Sequence, residues 1–268
     1  MKRKIPLAPT FISLVTLAVF GSVEITSTLA ARTPLARMFT QHAVGIRTWH
    51  RVEATGDDQE NSKPATARQA PPVTRTVAGQ VLTSKDRPAV QLEFDKSFKY
   101  AGSQSFVLYD VANAEQHFFV DADKDGHIKR LYWVQFEGYL PDNTHTYDYK
   151  SPKIVNIGGW DFFADVYARS LKGDLGRPDS DGNRARAFLK SKGFTTGTDV
   201  VTQRLVHMVD ETKRNELMII YLEDLTGTGF TAADLNEGGS AHAEWSKVSQ
   251  AVLARAQKFM KLKNLGKE

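Results

Sequence analysis

Apolar and polar positions change texture three times along this chain. From Thr10 to Val23 fourteen residues carry no charge and are mostly apolar; Lys2, Arg3 and Lys4 precede them, and Thr28-Leu29-Ala30-Ala31 comes after them. A basic start, an apolar block and small residues at a cleavage position form the order of a secretory signal. Counting back to Ile5 gives 19 uncharged residues, long enough to span a bilayer. Residues 1–31 therefore read as a cleaved signal peptide or an uncleaved transmembrane anchor, and either places the remaining chain outside the cytoplasm, in a periplasm or cell envelope. Residues 32–52 change to a helical period, with Leu35, Met38, Phe39, Ala43, Ile46 and Trp49 apolar and Arg37, Arg47 and Arg51 between them. Such a basic amphipathic segment suits either an anionic membrane surface or the side of a domain. Residues 53–88 are polar and proline-dotted without sustained periodicity, and read as a flexible linker.

From Val90 onward short runs rich in aromatic and β-branched residues appear at 90–94, 104–111, 115–122 and 128–140, and again at 200–209 and 216–225. These predict strands. Asp125-Gly126 between two of the runs is a strong hairpin signal, with a type I′ turn centred on the pair. That placement sets Asp121 opposite Arg130, Phe119 opposite Tyr132, Phe118 opposite Trp133, Gln116 opposite Gln135 and Lys124 opposite His127. One face then carries His117, Phe119, Asp121, Arg130, Tyr132, Val134 and Phe136, the other Gln116, Phe118, Val120, Leu131, Trp133, Gln135 and Glu137. Both faces are too apolar for a solvated sheet, so both should be covered.

The covers expected are helices. Trp160, Phe163, Ala164, Tyr167, Ala168 and Leu171 recur at helical spacing, with Gly173 placed to end the helix. A shorter helix is predicted from Arg184 to Lys192, ending at Gly193, and Ser240 is placed to cap a last one bearing Trp245, Val248, Val252, Ala256 and Phe259 on one face. Residues 89–268 thus predict a single α+β domain, an antiparallel sheet of about six strands packed with two to three helices.

Composition sharpens this picture in two places. No cysteine is present, which removes disulfides, thiolate metal sites and thiol nucleophiles. The formal charge of +4 is lopsided: residues 1–52 hold seven Lys or Arg against Glu24, so the remainder, with 28 against 30, is net −2. The basic character belongs to the N-terminus, and bulk charge gives no case for nucleic acid.

Candidate chemistry is sparse. Asp121, Asp123 and Asp125 have the carboxylate spacing of half a calcium loop, but the twelfth position is Tyr132 where such a loop needs glutamate, so a charged turn is the simpler reading. Asp179-Ser180-Asp181 reads as a helix cap. The seven histidines show no metal-ligand spacing, and no phosphate loop, dinucleotide fingerprint or nucleophile elbow occurs. No cofactor or metal is expected. Glu137 stands out because it continues the apolar face of Phe118 and Trp133 with Gln135 beside it. A carboxylate in an aromatic enclosure can bind a ligand or move a proton. The leading expectation is a non-catalytic binding module for a small apolar or amphipathic ligand or lipid, with Phe118, Trp133, Gln135 and Glu137 as the ligand residues. Two rivals stand beside it: a hydrolase-like enzyme using acids and histidines such as Glu137 and His145, and an envelope scaffold that binds a protein through an edge strand or the basic C-terminal helix.

Overall fold

The structure is a computed structural model that describes residues 68–151, 153–173 and 176–266. All lie in one compact unit spanning His50–Glu268. The expected signal or anchor and the basic segment, residues 1–52, fall outside the described residues. Among the described residues no helix is long and apolar enough to cross a membrane.

Two sheets form the frame. The smaller has four strands in the order β1 (Thr76–Ala78), β2 (Val81–Ser84), β3 (Val90–Phe94) and β12 (Met260–Asn264). The larger has eight. Its path runs β4 (Lys99–Leu108), β5 (Ala112–Ala122), β6 (His127–Tyr139), β11 (Asn215–Asp224), β10 (Asp199–Met208), β8 (Trp160–Ser170) and β7 (Ile154–Ile157), and the short β9 (Thr195–Thr196) pairs in parallel with β6. Among the described residues three α-helices accompany them: α1 (Asp181–Ser191), α2 (Ala232–Leu235) and α3 (Trp245–Lys258), the last entered through a 3-10 turn at His242–Glu244.

The expected α+β class is therefore corrected. Strands take 45% of the described residues and helices 16%, so the fold is mainly β, with twice the expected strands. The largest single change is at 160–171, where the expected helix is the strand β8. Trp160, Phe162, Ala164, Val166 and Ala168 also alternate at period two, and both β7 and β10 pair with the segment, satisfying its backbone on each side. Five short strands, β1, β2, β7, β9 and β12, were not foreseen. The first two lie inside the stretch read as linker, so the ordered sheet begins at Thr76.

The central hairpin holds the expected register from Asp121↔Arg130 to Gln116↔Gln135. Its turn differs. Gly126 N–H donates to Asp123 C=O at 3.2 Å, and Gly126, at φ +83°, sits in the left-handed region, while a bulge beyond Asp121 sets Ala122 opposite Ile128 instead of pairing Lys124 with His127. A type I turn with a glycine bulge consumes one more residue than a type I′ turn, and the bulge restores the pairing.

Both faces of the large sheet are covered. On one, Phe119, Tyr132, Val134 and Phe136 pack with the small sheet's Leu82, Leu92 and Phe94 and with Val252 and Ala256 of α3. The Tyr132 hydroxyl donates to the Ala256 carbonyl at 2.6 Å inside this core. On the other, Phe118, Val120, Leu131 and Trp133 pack with Ala185 and Leu189 of α1. Gly102 permits this approach: at φ +129° it leaves room for Phe188, whose ring a Cβ would meet at 2.9 Å.

Candidate functional site

Strand alternation collects polar side chains on the face that α1 covers. β6 contributes Trp133, Gln135 and Glu137, β5 Gln116 and Phe118, β4 Gln104, and β11 Glu216, which the register sets directly opposite Glu137. They form a relay. Gln104 Nε2 donates to Gln116 Oε1 at 2.7 Å, Gln116 Nε2 to Gln135 Oε1 at 2.7 Å, and Gln135 Nε2 to Glu137 Oε2 at 2.6 Å. Gln116 also donates to the Asp181 carbonyl at 3.2 Å, tying the first turn of α1 to the chain. The segment after β6 closes the far end: Tyr147 donates to Glu137 at 2.9 Å and Tyr149 to Glu216 at 2.5 Å.

Charge is expensive here. Burial pushes the Glu216 carboxyl well above the usual glutamate range, and the charge of Glu137 adds to this against Tyr149 and Arg204. Tyr147 and Tyr149 are likewise raised by burial and then by these carboxylates, so both hydroxyls stay protonated donors. Burial also raises Asp181. Buried donors without a hydrogen-bond partner among the described residues complete the face, the Trp133 indole N–H and the Thr202 hydroxyl among them.

All four expected ligand residues lie on this face. Phe118 and Trp133 are neighbours with rings 6.2 Å apart, and Phe118 is stacked against Phe188 of α1 at 5.1 Å. Gln135 and Glu137 are bonded to each other. Glu216, Tyr147 and Tyr149 were missed. The glutamate opens an apolar run, but its pairing with Glu137 joins segments about eighty residues apart, and the tyrosines sit in a polar stretch without period.

The acid and histidine of the enzymatic alternative are placed differently. His145 is exposed, with its ring 6.3 Å from Tyr139, while Glu137 accepts from Gln135 and Tyr147. A different hydroxyl, imidazole and carboxylate do line up on the opposite face, where His117 Nε2 meets Glu115 at 2.8 Å and its Nδ1 meets the Tyr100 hydroxyl at 3.2 Å. Burial and the charge of Glu115 raise Tyr100, the opposite of what an activated nucleophile needs. The carboxylate instead accepts from Thr74 N–H, Arg75 N–H and the Arg75 guanidinium, at 2.9 to 3.0 Å, and so ties the entry of β1 to the large sheet.

Asp121 pairs with Arg130, and Asp123 accepts from the Asp125 and His127 amides, as a turn requires. Ser180 caps α1 by accepting from Asn183 N–H, whereas Ser240 donates to Asp234 and caps nothing. Among the described residues no group of three His, Asp or Glu side chains is placed to hold a metal. Compared with protein-family models, curated proteins and solved structures, the chain matches none.

Proposed function

We propose that the domain is a non-catalytic binding module for a small amphipathic molecule, with its site on the face of the large sheet beneath α1. The apolar part of the ligand rests against Phe118 and Trp133, and polar groups engage the chain through Gln135 and Glu137. One observation carries the reading: the Trp133 N–H and the Thr202 hydroxyl are buried on this face without a hydrogen-bond partner among the described residues. An unsatisfied buried donor costs about 1–3 kcal/mol, a penalty that a ligand acceptor removes. With residues 1–31 as an address, the ligand is met outside the cytoplasm.

Native mass spectrometry of the purified full chain, joined to tryptophan emission during titration with decanoate, tests this. Wild type is expected to bind, and the emission change is expected to vanish in Trp133→Phe, which leaves Trp49, Trp160 and Trp245. No adduct, together with emission that decanoate shifts in neither protein, overturns the reading.

A further inference from the structure

Two arginines on the same face carry the reading one step further. Arg169 of β8 pairs across to Val200, and Tyr167 to Thr202, so Arg169 and Thr202 are diagonal neighbours on one side of the sheet. Arg186 stands on α1, the helix that covers this face, beside the buried Ala185, and burial, then the charge of Arg169, disfavours its charged form. Four other arginines are answered by acids, Arg75 by Glu115, Arg130 by Asp121, Arg204 by Asp165 and Arg255 by Glu223, while Arg184 and Arg214 donate to backbone carbonyls. Arg169 and Arg186 form no ion pair among the described residues. The Arg169 guanidinium lies over the Tyr167 ring at 5.8 Å, and its Nε, the Arg186 Nη2 and the Thr202 hydroxyl are buried without a hydrogen-bond partner among the described residues. Asp181 feels the charge of Arg169, yet its carboxylate accepts from the Gly182 N–H at 2.7 Å.

We infer that Arg169, Arg186 and Thr202 form the seat of an anionic head group, a carboxylate or a phosphate, on the amphipathic ligand. This rests on the binding-module reading and names the ligand's class. Two half-buried guanidinium groups that feel each other's charge repel, and an anion between them reverses the sign of that interaction. Their planar forks match carboxylate and phosphate oxygens, and a neighbouring hydroxyl adds a third donor.

The test titrates the full chain with inorganic phosphate, decanoate and decanol at constant ionic strength, reading the thermal midpoint and tryptophan emission. Wild type is compared with Arg169→Gln and Arg186→Gln. Decanoate or phosphate is expected to bind wild type, with decanol weaker and each variant weakened about tenfold or more, the loss of one charge-assisted contact. Decanoate without phosphate assigns a carboxylate ligand; phosphate without decanoate assigns a phosphorylated one. Without ligand, each variant is expected to be at least as stable as wild type, since a like-charge contact has been removed. Variants that lose stability instead would make the arginines structural and overturn the seat. Decanol binding as tightly as decanoate, with both indifferent to the substitutions, overturns the anion and leaves the module standing. Failure of all three with unmoved emission overturns both.

Discussion

Two buried glutamates pull the stability of this domain in opposite directions with pH. Burial alone raises the Glu115 carboxyl, but the hydrogen bonds from His117, Arg75 and Thr74 and the Arg75 charge more than offset it and hold it down at about 2. A carboxylate depressed on folding contributes stability that is present above its unfolded value, near 4.5, and lost as pH falls from there toward 2. The shift corresponds to about 3 kcal/mol, so Glu115→Gln should lose stability of that order at pH 7 and much less at pH 3, measured by urea unfolding. Equal losses at both pH values would show that the carboxylate charge is not what holds β1. Glu216 runs the other way. Its folded pKa is raised, so the native state binds the proton more tightly, and stability falls as pH rises above the unfolded value. Glu216→Gln keeps an acceptor for Tyr149 and removes the charge; it is expected to raise the urea midpoint at pH 8 and to leave it unchanged at pH 4. A lower midpoint at pH 8 would mean that ionised Glu216 is held by the fold. Glu137 was legible in the sequence because it extends a local alternation, whereas Glu216 became its neighbour only through strand pairing that no short-range pattern records.

Among the elements, β8 shows where sequence patterning divides. Trp160, Phe163, Ala164, Tyr167 and Ala168 fit a helix, and Trp160, Phe162, Ala164, Val166 and Ala168 fit a strand equally well, because apolar residues occupy both sets. Partners decide the outcome: β10 supplies a full ladder and a charge for Asp165, which pairs with Arg204 across the strands. A double-mutant cycle on Asp165 and Arg204 should return a coupling of about 1–3 kcal/mol. A value near zero would remove this pair from the forces that select the strand. The hairpin of β5 and β6 was readable in detail because its register is set by a nearby turn. Elements β10 and β11 were readable as strands, but their order beside β6 and β8 was not, since it depends on contacts distant in sequence. The C-terminal helix was placed well on its inner face and too long at its end, where Phe259 caps α3 and Met260 turns to pair with Phe94.

At the scale of the whole molecule the two coverings of the large sheet are unequal, and that inequality bears on ligand entry. The layer of small sheet and α3 is fastened by a wide apolar core, by Tyr132 to Ala256, and by Arg255 bonded twice to Glu223 at 2.6 and 2.7 Å. The α1 layer has only Ala185 and Leu189 buried in its helix, the Phe188 stack on Phe118, and a polar chain beside which the Trp133 N–H and the Thr202 hydroxyl lie buried without partners among the described residues. Local opening takes place where few apolar contacts and poorly satisfied polar groups meet. Amide exchange of the full chain should therefore show α1 opening at a lower free energy than β10 and β11, whose amides exchange only with global unfolding. Decanoate, if seated beneath α1, slows exchange in that helix and leaves α3 unchanged, because only the α1 layer must part to admit it. If α1 proves as protected as β11, or if the ligand slows α3 instead, entry beneath α1 is excluded and the face is sealed core.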